Sequence, residues 1–144
     1  MGEHSGHGAH RLSLTWPVYH LGVIDSTNTE ARRRAKAGQF EDCWLVAEAQ
    51  TAGRGRLQRP WISSTGNLFS TALFHEPGGI AIAARIPFAG ALAVADVAAQ
   101  LAPDAPVRLK WPNDARVNGA KISGILIETG GQGAEFWVAA GIGI

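Results

Sequence analysis

The sequence predicts an α+β domain, a mixed and mainly antiparallel sheet with helices on one face. Three observations lead there. Short apolar stretches of strand character recur along the chain, separated by turn-rich segments. Two longer stretches have helical period and helix punctuation. One pair of strand-like stretches is joined by Asn118-Gly119, a favoured dipeptide for a tight hairpin. With 144 residues, the length points to one domain.

The elements follow in order. Residues 1 to about 15 are small and polar, with His4, His7 and His10 spaced by Gly, Ser and Ala; they read as a disordered leader, with a metal site as the sharper alternative. Pro17 to Ile24 reads as a first strand. Asp25-Ser26-Thr27-Asn28 is turn and cap chemistry, and Thr27 with Glu30 has capping-box spacing, so a helix should run to about Ala37 and stop at Gly38. Arg32, Arg33 and Arg34 on it read as a solvated face. Trp44 to Ala49 is a short strand, Gln50 to Pro60 a Gly/Arg loop, and Asn67 to Phe74 another strand. Gly79 to Leu101 is Ala-rich and helical, with Pro87 either kinking it or starting its second half. Val107 to Trp111 is a strand, Ala115 to Asn118 and Lys121 to Glu128 form the hairpin, and Phe136 to Ile144 is a last apolar strand. That apolar ending reads as a chain stopping in mid-domain.

Composition narrows the function. Hydrophobic residues are 46% and charged residues 17%, and 13 Lys+Arg against 12 Asp+Glu leave a net charge of +1. This balance argues against a non-specific nucleic-acid binder or a polybasic membrane anchor. Cys43 alone excludes an internal disulfide and fits a reducing, cytoplasmic setting. No apolar run is expected to reach the length of a membrane span. Ten arginines stand against three lysines, Lys36, Lys110 and Lys121, so a retained Lys can mark a place that needs a compact ammonium.

Three segments carry chemistry. In Gly53-Arg54-Gly55-Arg56, glycines let backbone N–H groups approach an anion and arginines add forked donors; on its own this serves equally as a mobile surface loop. It is neither a Walker A loop nor a dinucleotide fingerprint. Lys110-Trp111-Pro112-Asn113-Asp114 puts Lys110, Asn113 and Asp114 at one turn, or is a plain hairpin turn with a surface ion pair. Lys121 opens a strand after a tight turn, where it could neutralise a carboxylate and a phosphate or simply face water, and Gly124 removes a side chain where something can approach.

Together, in order and spacing, these segments resemble the catalytic domain of biotin protein ligases (biotin–[acetyl-CoA-carboxylase] ligases) of the biotin/lipoate protein ligase superfamily. The matching stretches are Asp25 to Asn28, Glu48 to Arg56, Trp61 with Gly66-Asn67-Leu68, Lys110 to Asp114, Lys121 with Gly124 to Glu128, and Gly141 to Ile144. They span about residue 18 to the end. The resemblance implies a fold like that of class II aminoacyl-tRNA synthetases over residues 16–144, incomplete at its C-terminus, with neither an N-terminal DNA-binding domain nor a C-terminal SH3-like domain. It implies that biotin and ATP, with Mg2+, give biotinyl-5′-adenylate and pyrophosphate, and that the biotinyl group passes to a lysine of a biotin carboxyl carrier protein, the acetyl-CoA carboxylase subunit. Neither DNA nor a membrane is an expected partner; a homodimer is.

The resemblance also distributes roles. Ser26, Thr27 and Asn28 line the end that binds the ureido ring, and Gln50 helps there. Gly53, Arg54, Gly55 and Arg56 form a loop that orders over the ligand, with Arg56 holding the adenylate. Lys121 bridges the biotin carboxylate and the α-phosphate, Gly124 belongs to the same wall, Trp61 walls the nucleotide side, and Asp114 helps activation or transfer. No protein-bound metal site is implied. Two departures stand out. Leu57 and Gln58 replace the basic residue and glycine usual in the loop, which predicts a stiffer loop and poorer adenylate retention. The asparagine that usually follows Gly-Ile-Gly-Ile lies beyond the last residue.

The alternatives are a lipoate or octanoate ligase of the same superfamily, a non-catalytic biotin-binding fragment, a biotin-responsive repressor, and an RNA-contacting Gly/Arg loop. The Gly-Arg-Gly-Arg loop, the Lys-Trp-Pro-Asn-Asp turn and the lack of an Arg-Arg-x-Ser-Gly-Gly-Gly stretch favour biotin over lipoate.

Overall fold

The computed structural model describes residues 16–38 and 40–144; the leader with His4, His7 and His10 lies outside them. The elements are β1 (Val18–His20), β2 (Val23–Ile24), α1 (Thr27–Lys36), β3 (Cys43–Ala47), β4 (Ala49–Gln50), β5 (Phe69–His75), α2 (Gly79–Ala83), α3 (Ile86–Leu101), β6 (Val107–Lys110), β7 (Asp114–Val117), β8 (Ala120–Gly130) and β9 (Trp137–Gly143). Seven strands form one sheet in the order β1-β3-β5-β9-β8-β7-β6. Only β1 and β3 pair in parallel within it, so the sheet is mixed and mainly antiparallel, as expected. A separate parallel pair, β2-β4, sits beside it.

The central strands explain the layering. Phe69 to Leu73 of β5 and Trp137 to Gly141 of β9 are buried without alternation. A strand buried on both faces needs cover on both. Ala31 and Ala35 of α1 pack with Leu45, Leu73 and Ala139. Ala83 of α2 packs with Ala72, Val138 and Ala140, and Ala91 and Val94 of α3 with Ala115 and Ile125. Neighbours along β9 thus face different helices. The helices, expected on one face, divide between two, because successive side chains of one strand point opposite ways.

Several boundaries also differ from expectation. The first strand splits, with Gly22 at φ 62° turning the chain between β1 and β2. The stretch from Trp44 to Ala49 likewise divides at Glu48, because β4 leaves the main sheet to pair with β2. The cap of α1 is Ser26, not Thr27: Ser26 Oγ accepts from the Thr29 N–H at 3.4 Å, and the Ser26 φ of −164° is extended. Thr27 is freed for another use. Residues 79–101 break between α2 and α3, and Pro87 stands in the first turn of α3, where its missing N–H costs nothing. By length and composition this stretch is apolar enough to cross a membrane, against the expectation that no run would be; here it packs on the sheet. The hairpin turn is as expected, with Asn118 and Gly119 both at positive φ, 50° and 80°.

The arginine run of α1 is half-exposed and paired rather than merely solvated. Arg34 Nε lies 3.1 Å from Glu30 Oε1, and Arg32 Nη1 lies 3.7 Å from Glu128 Oε1. Arg33 binds the Asp25 carboxylate with both guanidinium nitrogens. The Arg33 hydrogen bond holds the Asp25 carboxyl below its ordinary value, against partial burial and with help from the Ser26 N–H. A depressed carboxylate contributes stability above its unfolded pKa and loses it as pH falls through the folded one. Asp25→Asn should therefore flatten the loss of melting temperature below about pH 4 and leave the neutral-pH slope unchanged; thermal melts from pH 2 to 7 read this directly.

A cleft on the α1 face

On the α1 face, a cleft with a cavity volume of about 400 Å³ opens over β5, β9 and β8. That size suits a small-molecule site. Its floor is Phe69, Ser70, Gly141 and Gly143. One end is made by the start of α1, with Ser26, Thr27, Asn28 and Gln50; the other by Arg56, Asn113, Asp114 and Lys121, with Trp61 between. Eleven of the twelve site residues expected from the sequence line it, including Arg54, Gly55 and Gly124. Gly53 does not. It serves the loop instead, since a Cβ there would lie 2.8 Å from the Trp61 carbonyl and 2.7 Å from Ser63 Oγ. Lys110 is exposed on the sheet edge and does not line the cleft either.

The α1 end is a connected set of buried and half-buried polar groups. Thr27 N–H donates to Gln50 Oε1 at 2.9 Å, and Gln50 Nε2 donates to Ser63 Oγ at 3.1 Å. Asn28 Nδ2 donates to Glu128 Oε2 at 3.0 Å and to the Leu126 carbonyl at 3.3 Å. Thr71 Oγ1 lies 2.7 Å from Asn28 Oδ1 and 2.8 Å from Thr27 Oγ1. Arg54 is not a free loop arginine: its guanidinium bonds Glu128 at 3.2 and 3.3 Å and Thr29 Oγ1 at 3.1 Å, tying the loop to the wall.

The cationic end is held differently. Arg56 Nη1 donates to Asn113 Oδ1 at 3.2 Å, and the buried Asn113 donates its Nδ2 to the Ile125 carbonyl at 2.8 Å. Asn113, in the turn singled out from the sequence but given no role, thus fixes the arginine. Lys121 Nζ lies 2.9 Å from Asp114 Oδ1 and 5.2 Å from the centre of the Trp61 ring. Trp61 lies flat because β8 and β9 offer it glycines; a Cβ at Gly124 would be 3.1 Å from its ring and one at Gly143 2.7 Å. Two cations and a flat aromatic surface, opposite a polar pocket, can hold a ligand with an anionic centre and a polar ring.

Residues 21–144 match the biotin/lipoate A/B protein ligase family. The chain belongs to this family. It is 42% identical over 126 residues to a biotin–[acetyl-CoA-carboxylase] ligase of Paracoccus denitrificans, covering 86% of this chain and 52% of that one. It is 39% identical to the bifunctional ligase/repressor BirA of Escherichia coli, over 85% of this chain and 39% of that one. Among solved structures, a biotin protein ligase from Aquifex aeolicus in complex with biotin and ATP has a TM-score of 0.70 at 31% identity, over 89% of this chain and 51% of that one. One from Leishmania major in complex with biotinyl-5-AMP has a TM-score of 0.72 at 30% identity, over 89% and 56%. The chain spans about half the length of the Paracoccus and Aquifex proteins.

The loop residues Leu57 and Gln58, which the resemblance marks as departures, leave a structural trace. Leu57 and Gln58 both stand in the left-handed region, at φ 57° and 58°. Glycine adopts that region freely, while a side chain there costs about 1–2 kcal/mol. The backbone is therefore bent as a glycine would bend it, without glycine in place. A β-branched residue fits worst and asparagine is tolerated. Leu57→Val should speed tryptic cleavage after Arg56 by about fivefold, Leu57→Asn should slow it, and the global melting temperature should stay put in both.

Proposed function

We propose that the cleft activates biotin with ATP to biotinyl-5′-adenylate, and that the biotinyl group then passes to a lysine of a biotin carboxyl carrier protein. The observation that carries this reading is the division of one cleft into a hydroxyl-and-amide pocket at the buried Ser26 and Thr27 and the half-buried Gln50, and a cationic end at Arg56 and Lys121. Relatives similar in sequence are named biotin ligases, and similar structures hold biotin with ATP or biotinyl-5-AMP.

The chemistry follows from charge. A carboxylate oxygen of biotin attacks the α-phosphorus of ATP, and pyrophosphate leaves with the electrons of the broken P–O bond. Both partners are anions, so the approach needs donors that are already in place. Lys121 supplies a compact ammonium that the Asp114 carboxylate holds beside the cleft. Arg56 supplies a fork that Asn113 orients. ATP enters as its magnesium complex, with Asp114 the lining carboxylate able to meet the ion; the described residues contain no cluster of three or more metal-ligating side chains. The loop from Gly53 to Pro60 covers the reactive acyl phosphate against water. In the second step the carrier lysine amine attacks the acyl carbon and AMP leaves. A cytoplasmic setting goes with this reading, supported by a single buried, unpaired cysteine.

Biotin-dependent exchange of labelled pyrophosphate into ATP tests the first step. The wild-type chain should exchange with biotin and not with lipoate. Lys121→Ala and Arg56→Gly should each lower exchange by about 10²-fold, the usual cost of removing one charge-stabilising donor. Exchange at the wild-type rate in both variants would overturn the site assignment, and exchange with lipoate alone would move the substrate.

A further inference from the structure

We infer that Thr71, oriented by Asn28 and Glu128, is a positioning residue that makes the Thr27 hydroxyl a hydrogen-bond acceptor toward the cleft, selecting a ring that carries an N–H donor. The inference rests on the biotin reading and deepens it, because it states why the polar pocket prefers a cyclic urea to a ring without N–H groups.

The argument is a count of protons. The Glu128 carboxylate and the Leu126 carbonyl can only accept, so the atom of Asn28 that faces them, at 3.0 and 3.3 Å, is its amide nitrogen. Arg54 holds Glu128 in place from 3.2 and 3.3 Å. Asn28 Oδ1 then faces Thr71 Oγ1 at 2.7 Å and can only accept, so the single Thr71 proton goes to Asn28. The 2.8 Å contact between Thr71 and Thr27 needs a proton too, and it has to come from Thr27. Gln50 Oε1, the other neighbour of Thr27 Oγ1, is farther at 3.2 Å and already takes the Thr27 N–H. With its proton committed, Thr27 offers only lone pairs. Thr27, Asn28 and Thr71 are 3%, 4% and 0% exposed, so water cannot easily reset this order.

Next to it, Ser26 has the opposite polarity. Its oxygen accepts the Thr29 N–H as the helix cap, which leaves its own proton free to donate. An acceptor and a donor side by side complement the N–H and C=O of a cyclic urea. A dithiolane ring offers neither, and a polar site left unpaired rejects the ligand that fails to pair it.

The test is calorimetric binding of biotin and of its two cyclic carbamate analogues, each with oxygen replacing one ring N–H, to the wild-type chain and to Thr71→Val, Thr71→Ala and Thr71→Ser. Wild type should bind one carbamate at least about tenfold more weakly than biotin, the worth of one hydrogen bond. Thr71→Val should bind biotin about tenfold more weakly and lose most of that discrimination, with ATP affinity unchanged; Thr71→Ala, which cannot overpack, gives the same result should the valine variant fail to fold. Thr71→Ser should restore both values. A merely structural role would weaken biotin and the carbamates by the same factor and would overturn the inference, as would unchanged discrimination in both hydroxyl-free variants. A folded wild-type chain that binds no biotin would overturn the biotin reading with it, whereas wild-type binding with an unchanged discrimination ratio removes this inference alone.

Discussion

A Cβ at Gly141 would collide with Asn28 Oδ1, and one at Gly143 would lie 2.7 Å from the Trp61 ring. The cleft depends on that bare stretch of β9. Next to them, Val138, Ala139 and Ala140 carry small side chains and fill both layers of the core. Where β9 has no side chain, the start of α1 comes down onto the sheet from one side and the tryptophan lies flat from the other. The same strand is thus core over its first half and binding floor over its second. The change needs no bend, only the loss of two side chains on one face.

The two ends of the cleft then follow from how each polar group is held. At the α1 end the buried Thr27, Asn28 and Thr71 bond one another and the half-buried Gln50 and Glu128, so the pocket is formed before any ligand arrives. At the cationic end Arg56 is held by a single amide and Lys121 by a single carboxylate, with Lys121 more than a third exposed. A rigid ring pocket facing a more adjustable cationic end suits a ligand whose ring is fixed while its far end changes charge and partners. The loop between them is anchored at Arg54 by Glu128 and bent at Leu57 and Gln58.

Much of this was legible in the sequence, for identifiable reasons. The strands, the hairpin at Asn118-Gly119 and the capped first helix carry local signals. The Gly-Arg-Gly-Arg loop and the Lys-Trp-Pro-Asn-Asp turn carry chemistry within a few residues. Ser26 was named for the site and proved also to be the cap, because one oxygen can accept from the helix while its proton points elsewhere. What stayed hidden was long-range. Thr71 meets Asn28 across 43 residues and Glu128 meets it across 100. The signal available was a pair of hydroxyls, Ser70 and Thr71, inside the otherwise apolar strand Phe69 to Phe74, which is unusual unless partners are waiting. The division of the helices between two faces was available in the same way, from the unbroken run of small and apolar residues in β9, which alternation for a one-faced sheet would have interrupted.

The central proposal is that a biotin ring sits against the start of α1, over β5 and β8, with nucleotide-facing cations at the far end. Amide hydrogen exchange of the chain, with and without saturating biotin, tests it most directly. Slowed exchange should be confined to residues 26–29, 49–56, 69–71, 124–128 and 141–143, with α3 and β6 unchanged. No protection, or protection concentrated on α3 and β6, would contradict the account.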